Sequence, residues 1–336
     1  MTFAKDIGID LGTASVLVYV KGKGVVLNEP SVVAMDKTTG KLLKVGTDAQ
    51  AMLGRTPGNI IAIRPLREGV ISDYDMTERM LKEFIHKVAG FSFFKPRVII
   101  CVPSGITEVE ERAVIDAGIQ AGARKVYLIE EPVAAALGAG LDLSVPRGRF
   151  ILDMGGGTTD IAVLSLNGIV CKKSIKLAGR KLDEAIVRCV RTDRNVLIGE
   201  KMAERIKIEV GSVFYTEDKE MEAKGRNLHT GLPEKFVIRT SDIYDALMEQ
   251  VMQIVTAVQQ ILEITPPELS ADIWEDGLIM TGGGAMLHGL GDLISQHAKI
   301  KVRLAEHPVE CVAIGTALSF SKLDELYDGF VTPSTH

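Results

Sequence analysis

The 336-residue chain is 46% hydrophobic and 25% charged, enough for two domains that each bury a core. Its formal net charge of -5 provides no basic field for phosphate backbones, which excludes a sequence-independent grip on nucleic acid. Cys101, Cys171, Cys189 and Cys311 lie far apart, without the short spacing of a zinc or redox site, and read as buried, reduced thiols. No apolar run approaches the ~20 residues that span a bilayer. Met1 to Asp6 lead straight into a strand pattern without the charged start and apolar stretch of a signal peptide, so the expectation is a cytosolic chain that touches a membrane only from one side.

Ile7 to Val20 reads as two short strands around a Gly-Thr turn, followed by a further strand to Leu27. Arg97 to Val102 is an apolar strand ending at Pro103-Ser104-Gly105, after which Thr107-x-x-Glu110 predicts a capping box and a helix through Ala121. The strand Val126 to Ile129 leads to Glu130-Glu131-Pro132, with the proline at a helix start where its missing N–H costs nothing. The small side chains of Ala134 to Gly140 suit a seam between lobes. The pattern then restarts at Arg149 with a strand, a glycine turn, a second strand to Ser165, a hairpin turn at Asn167-Gly168 and a third strand to Lys173. Such a long-period duplication predicts a two-lobed α/β protein with a cleft between related halves. Farther on, Ile243, Leu247, Val251, Ile254, Val258 and Ile261 recur at helical spacing until Thr265-Pro266-Pro267 stops the helix, and 216–235 reads as a peripheral hairpin or loop.

The chemistry concentrates in the turns. Asp10-Leu11-Gly12-Thr13 and Asp153-Met154-Gly155-Gly156-Gly157-Thr158 each place an aspartate before unobstructed backbone amides, so a polyphosphate could accept N–H bonds while the carboxylates face magnesium. One such turn is equally a plain hairpin. Two at equivalent places in duplicated halves favour a phosphate clamp. A third run, Gly282-Gly283-Gly284-Ala285, follows an apolar strand and suits close approach of a base or ribose, or simply a tight strand-to-helix turn. Glu204 and Lys207 share a helix face, either for ribose hydroxyls or as a solvated ion pair. Glu131 either compensates a helix dipole or, opposite Thr158, orders a water for attack on a γ-phosphate. The aromatic cluster Phe91, Phe93 and Phe94, flanked by Lys87 and Lys95, is either a loop tucked onto its own domain or a wedge for a lipid interface.

In order, these turns resemble the phosphate-1, phosphate-2 and adenosine motifs of the actin, Hsp70 and sugar-kinase superfamily. Within it the chain is similar to the MreB/Mbl family of bacterial actins over nearly its whole length. The resemblance is carried by Gly8-Ile9-Asp10-Leu11-Gly12-Thr13-Ala14, Gly54-Arg55-Thr56-Pro57-Gly58-Asn59, Arg64-Pro65-Leu66, Cys101 through Thr107, Glu130-Glu131-Pro132, Asp153 through Asp160, Thr265 through Leu269 and Cys311 through Thr316. It implies an actin-like ATPase fold of four subdomains, with duplicated RNase H-like lobes: residues 1–145 with an insertion near 33–77, then 146–316 with an insertion near 181–244, and 317–336 packing back on lobe I.

The resemblance further implies ATP and Mg2+ as cofactors, and slow hydrolysis coupled to head-to-tail assembly into paired filaments. These lie on the inner membrane face with proteins of the cell-elongation machinery, organising wall synthesis in rod-shaped cells. Carried over, Asp10, Gly12, Thr13, Ala14, Ser15, Asp153, Gly155, Gly156, Gly157 and Thr158 would hold the phosphates, with Asp10 and Asp153 near the metal through water. Glu204, Arg205, Ile206, Lys207 and Gly282 to Ala285 would hold the nucleoside, Glu131 and Thr158 would position the hydrolytic water, and Phe91, Phe93 and Phe94 would meet the membrane. The alternatives are a small-molecule kinase of the same superfamily and a chaperone ATPase, the latter disfavoured because little chain follows the second lobe. Two positions depart from the family pattern: Ser15 stands in place of asparagine, and Arg180 in place of aspartate.

Overall fold

A computed structural model describes residues 6–89, 95–214, 217–323 and 330–331. The expected membrane cluster Phe91, Phe93 and Phe94 lies outside the described residues.

Two sheets carry the molecule, and they repeat one plan. In lobe I the strand Asp6–Leu11 runs antiparallel to Ser15–Val20, which pairs in turn with Gly24–Pro30. On its other side Asp6–Leu11 lies parallel to Arg97–Val102, which is parallel to Lys125–Glu130. Phe330–Val331 closes this sheet, antiparallel to Lys125–Glu130. In lobe II the strand Arg149–Met154 pairs antiparallel with Thr159–Ser165, which pairs with Gly168–Ile175. Its other neighbour, Leu278–Thr281, is parallel, and Val302–Leu304 is parallel beyond that. Each lobe is therefore a three-strand meander extended by parallel strands, as the repeated pattern of apolar strands and glycine turns predicts. Among the described residues three smaller sheets sit outside this frame, one of them the two-stranded pair Leu66–Arg67 and Val70–Ile71; the other two have three strands each. One joins Val33–Asp36, Leu42–Val45 and Ile60–Ile63, and the other joins Val196–Leu197, Glu220–Asn227 and Pro233–Arg239.

Local chemistry explains the element ends. Thr107 accepts from the backbone N–H of Glu110 while the Glu110 carboxylate accepts from that of Thr107, starting the helix Glu108–Gln120 with the expected capping box. Pro132 occupies the first turn of the helix Glu131–Gly138. The hairpin between Thr159–Ser165 and Gly168–Ile175 turns one residue earlier than expected. Its two central residues are Leu166 (φ 51) and Asn167 (φ 59), while Gly168 already pairs with Ser165. Two left-handed residues in a two-residue loop match the strand twist, and asparagine tolerates that conformation better than most.

Three apolar clusters hold the frame. Each lobe has its own, centred on Phe84 and Ile100 in lobe I and on Phe150 and Ile254 in lobe II. The third joins the lobes, with Ile99, Ile129, Ile151 and Ile279 from the two sheets packing around the helix Glu131–Gly138 and against Val312. At this seam the helices Glu131–Gly138 and Cys311–Leu318 touch backbone to backbone. A Cβ at Gly138 would run into the Cys311 carbonyl, and one at Gly315 into that of Ala134. Only glycine allows this approach.

Candidate functional site

The two glycine turns end the equivalent first strands of the two sheets, so the duplication itself brings them face to face. They are in contact: a Cβ on Gly156 would lie 2.5 Å from the Ala14 side chain, and one on Gly157 would lie 2.5 Å from Thr13 Oγ1. Thr13 Oγ1 also accepts from the Gly69 N–H at 3.0 Å. The third run closes behind them, with Gly282 at φ +85 so close to the Met154 carbonyl that a side chain has no room.

Between these turns opens a cavity of about 950 Å³. It is lined by Asp10, Gly12, Thr13, Ala14 and Ser15 from lobe I and by Asp153 and Gly155 to Thr158 from lobe II. Glu131, Glu204, Lys207 and Gly282 to Gly284 also face it. Three expected nucleoside contacts do not. Arg205 turns outward to pair with Glu209 at 2.6 Å, and Ile206 is fully buried in the lobe II core. Ala285 is likewise packed in that core. The helix Glu200–Val210 has a single face toward the cleft, and at 3.6 residues per turn Glu204 and Lys207 occupy it while the two residues between them cannot.

The charges are buried ones. Burial, with Asp153 nearby, pushes the Asp10 carboxyl up to about 8. Burial also pushes Asp153 up to about 7, opposed by a hydrogen bond donated from Thr281 Oγ1 at 2.6 Å. Glu131 lies well above the usual carboxylate range through burial and then through Asp160, Asp153 and Asp10. Thr158 Oγ1 reaches the Glu131 carboxylate at 3.4 Å. Asp160 adds its charge beside Glu131, and its Oδ1 accepts from the Ser104 N–H of lobe I at 2.8 Å. Asp10, Glu131 and Asp153 line the cavity together, and a cation arriving among them would favour their ionised forms.

Among the described residues, no group of three or more His, Cys, Asp or Glu side chains is arranged to hold a metal by itself. Magnesium keeps several waters and takes much of its coordination from phosphates rather than from a protein cage, so its fit here rests on the carboxyl oxygens that line the cavity. Asp10 and Asp153 suit contact through water.

Sequence reasoning passed over several lining residues. Asp183 pairs with Lys207 at 2.7 Å, and Lys207 also donates to the Gly179 carbonyl at 3.0 Å. Arg64 reaches across to Glu200 at 3.5 Å. Asp183 and Arg64 have no turn or spacing signature, since tertiary packing alone brings them to the cleft. Asp160 lies behind the lining, directly opposite Asp153 in the hairpin that the glycine turn closes.

Comparison with known proteins agrees with this geometry. The family model described as MreB/Mbl protein matches residues 4–328. The chain is 52% identical to the cell shape-determining protein Mbl of Bacillus subtilis, over 96% of this chain and 98% of that protein. It is 49% identical to the cell shape-determining protein MreB of Escherichia coli, over 96% of this chain and 95% of that one. The structure of MreB5 of Spiroplasma citri bound to AMPPNP superposes with a TM-score of 0.91 at 36% identity, covering 96% of this chain and 98% of that chain. A MamK double helical filament shares the fold, with a TM-score of 0.81 at 20% identity over 95% of this chain and 99% of that chain. With its duplicated lobes, its facing glycine turns and these relatives, the chain belongs to the MreB/Mbl family of bacterial actins.

Proposed function

We propose that this protein is an ATP-dependent, filament-forming bacterial actin whose polymers lie on the inner membrane face and organise wall synthesis, setting rod shape. The observation that carries the reading is the cleft, where backbone amides, buried carboxylates and Lys207 converge between two lobes that self-assembly could lock or release. The Mbl and MreB relatives are named for cell shape, and MreB5 was captured with AMPPNP and with ADP. A small-molecule kinase finds no support among these relatives.

In this reading Gly12 to Ser15 and Gly155 to Thr158 cradle the phosphate tail, and Glu204, Lys207 and Gly282 to Gly284 hold the nucleoside. Asp10 and Asp153 would hold magnesium through water, and the ion would neutralise charge on the phosphates. Glu131 and Thr158 hold the attacking water. Burial and the neighbouring Asp160 push the Glu131 carboxyl well above the usual carboxylate range, and its part beside Thr158 is to orient that water. We take the chain to divide at about 145 and 316, with the final segment returning to lobe I.

Sedimentation with ATP, repeated on liposomes and with a sugar panel, tests the reading. Polymer that pellets with ATP and binds vesicles is expected. Sugar-stimulated turnover without polymer would point to a kinase, and unchanged vesicle binding by Phe93→Ser/Phe94→Ser would remove the aromatic wedge. Glu131→Ala is expected to bind ATP normally and to hydrolyse it about a hundredfold more slowly. Unaltered turnover would dismiss the water-ordering role.

A further inference from the structure

Arg180 differs from the other cations lining the cleft. Lys207 pairs with Asp183 and Arg64 with Glu200, whereas the Arg180 guanidinium donates across the cleft to a neutral acceptor, the Thr13 carbonyl. Its backbone N–H donates to the Gly156 carbonyl at 3.0 Å, so one residue is tied to both glycine turns. Burial, followed by repulsion from Arg64, pushes its pKa down to about 10, with Glu200 and Asp183 only partly offsetting. A guanidinium withdrawn from water and given a carbonyl as its partner keeps most of its charge uncompensated. The planar fork of donors matches phosphate oxygens. Arg180 also lines the same cavity as Gly12 to Ser15 and Gly155 to Thr158.

We propose that Arg180 is a phosphate ligand of this cleft, reaching from lobe II to the tail beside Thr13. The inference rests on the reading of the cavity as an ATP cleft and adds to it. The aspartate expected here from the family pattern would repel the tail; arginine attracts it. The same side chain spans the lobes, so phosphate and lobe contact draw on one group. Part of the salt dependence of nucleotide binding is therefore carried by a residue that the glycine turns do not contain.

Equilibrium binding of ATP, ADP and adenosine to the full-length protein, held below its polymerisation concentration, tests this. Arg180→Ala is expected to weaken ATP and ADP by about tenfold or more, to flatten their salt dependence, and to leave adenosine unchanged. Arg180→Lys is expected to recover part of the loss. Unchanged ATP affinity in Arg180→Ala, with wild type binding normally, would overturn the phosphate contact and leave the cleft reading standing. So would an equal loss for adenosine, which marks a merely structural role. Failure of the wild-type protein to bind ATP would overturn the cleft reading itself, and the contact with it.

Discussion

Asp10 and Asp153 occupy the same place in two copies of one sheet, yet their surroundings differ on the neighbouring parallel strand. Opposite Asp153 stands Thr281, whose hydroxyl donates to it at 2.6 Å. Opposite Asp10 stands Cys101, a buried thiol and a weak donor. The lobe II carboxyl is pushed up to about 7 and the lobe I carboxyl to about 8. Duplication has kept the acids but not the donor: Thr281 bonds Asp153, whereas burial and the charge of Asp153 act on Asp10.

The largest test of that asymmetry is removal of the acids. Asp10→Asn and Asp153→Asn are each expected to weaken magnesium-dependent ATP binding by about a hundredfold, while binding in EDTA changes little. Wild-type magnesium dependence in Asp10→Asn would break the comparison outright.

A second test is pH. The unfolded chain releases the Asp10 proton in the ordinary carboxylate range, near 4, whereas the folded chain holds it up to about 8. The Asp10 contribution therefore favours the nucleotide-free fold fully in acid and is lost as pH rises toward 8. The Tm of the nucleotide-free protein is expected to fall by several degrees between pH 5 and 8, measured by calorimetry. Magnesium ATP is expected to restore it, and Asp10→Asn to flatten the slope.

The finest test exchanges the donors. Thr281→Val is expected to raise the Asp153 titration by up to about one pH unit, and Cys101→Ser to lower that of Asp10 by less. Carboxyl resonances followed by NMR across pH would report both. Equal titrations of Asp10 and Asp153 in the wild-type protein would show that the donors do not set the difference.

Local signals carried much of this structure into the sequence. Periodicity and turn chemistry gave the duplicated sheets, the capping box at Thr107 and the small-residue helix at the seam, because each depends on neighbours within a few residues. The glycine turns were legible for the same reason, and their meeting followed from the repeat. What escaped depends on packing between distant segments. Arg205 and Ile206 were grouped with Glu204 and Lys207 by proximity in the chain, although a helix turns successive residues to different sides. Arg180 was visible as an oddity of charge, but its bond to Thr13 exists only once the lobes close. The turn at Leu166-Asn167 was misplaced by one residue because Asn167-Gly168 is itself a strong turn signal.

The crossing of the helices Glu131–Gly138 and Cys311–Leu318 has a consequence for the genetics of this chain. A side chain at Gly138 or Gly315 meets carbonyl groups, those of Cys311 and Ala134, which every amino acid possesses. No second substitution at those partner positions can relieve such a clash. Suppressors of a defect at either glycine should therefore be absent from the facing residues, and both positions are confined to one amino acid in any sequence background that keeps this seam.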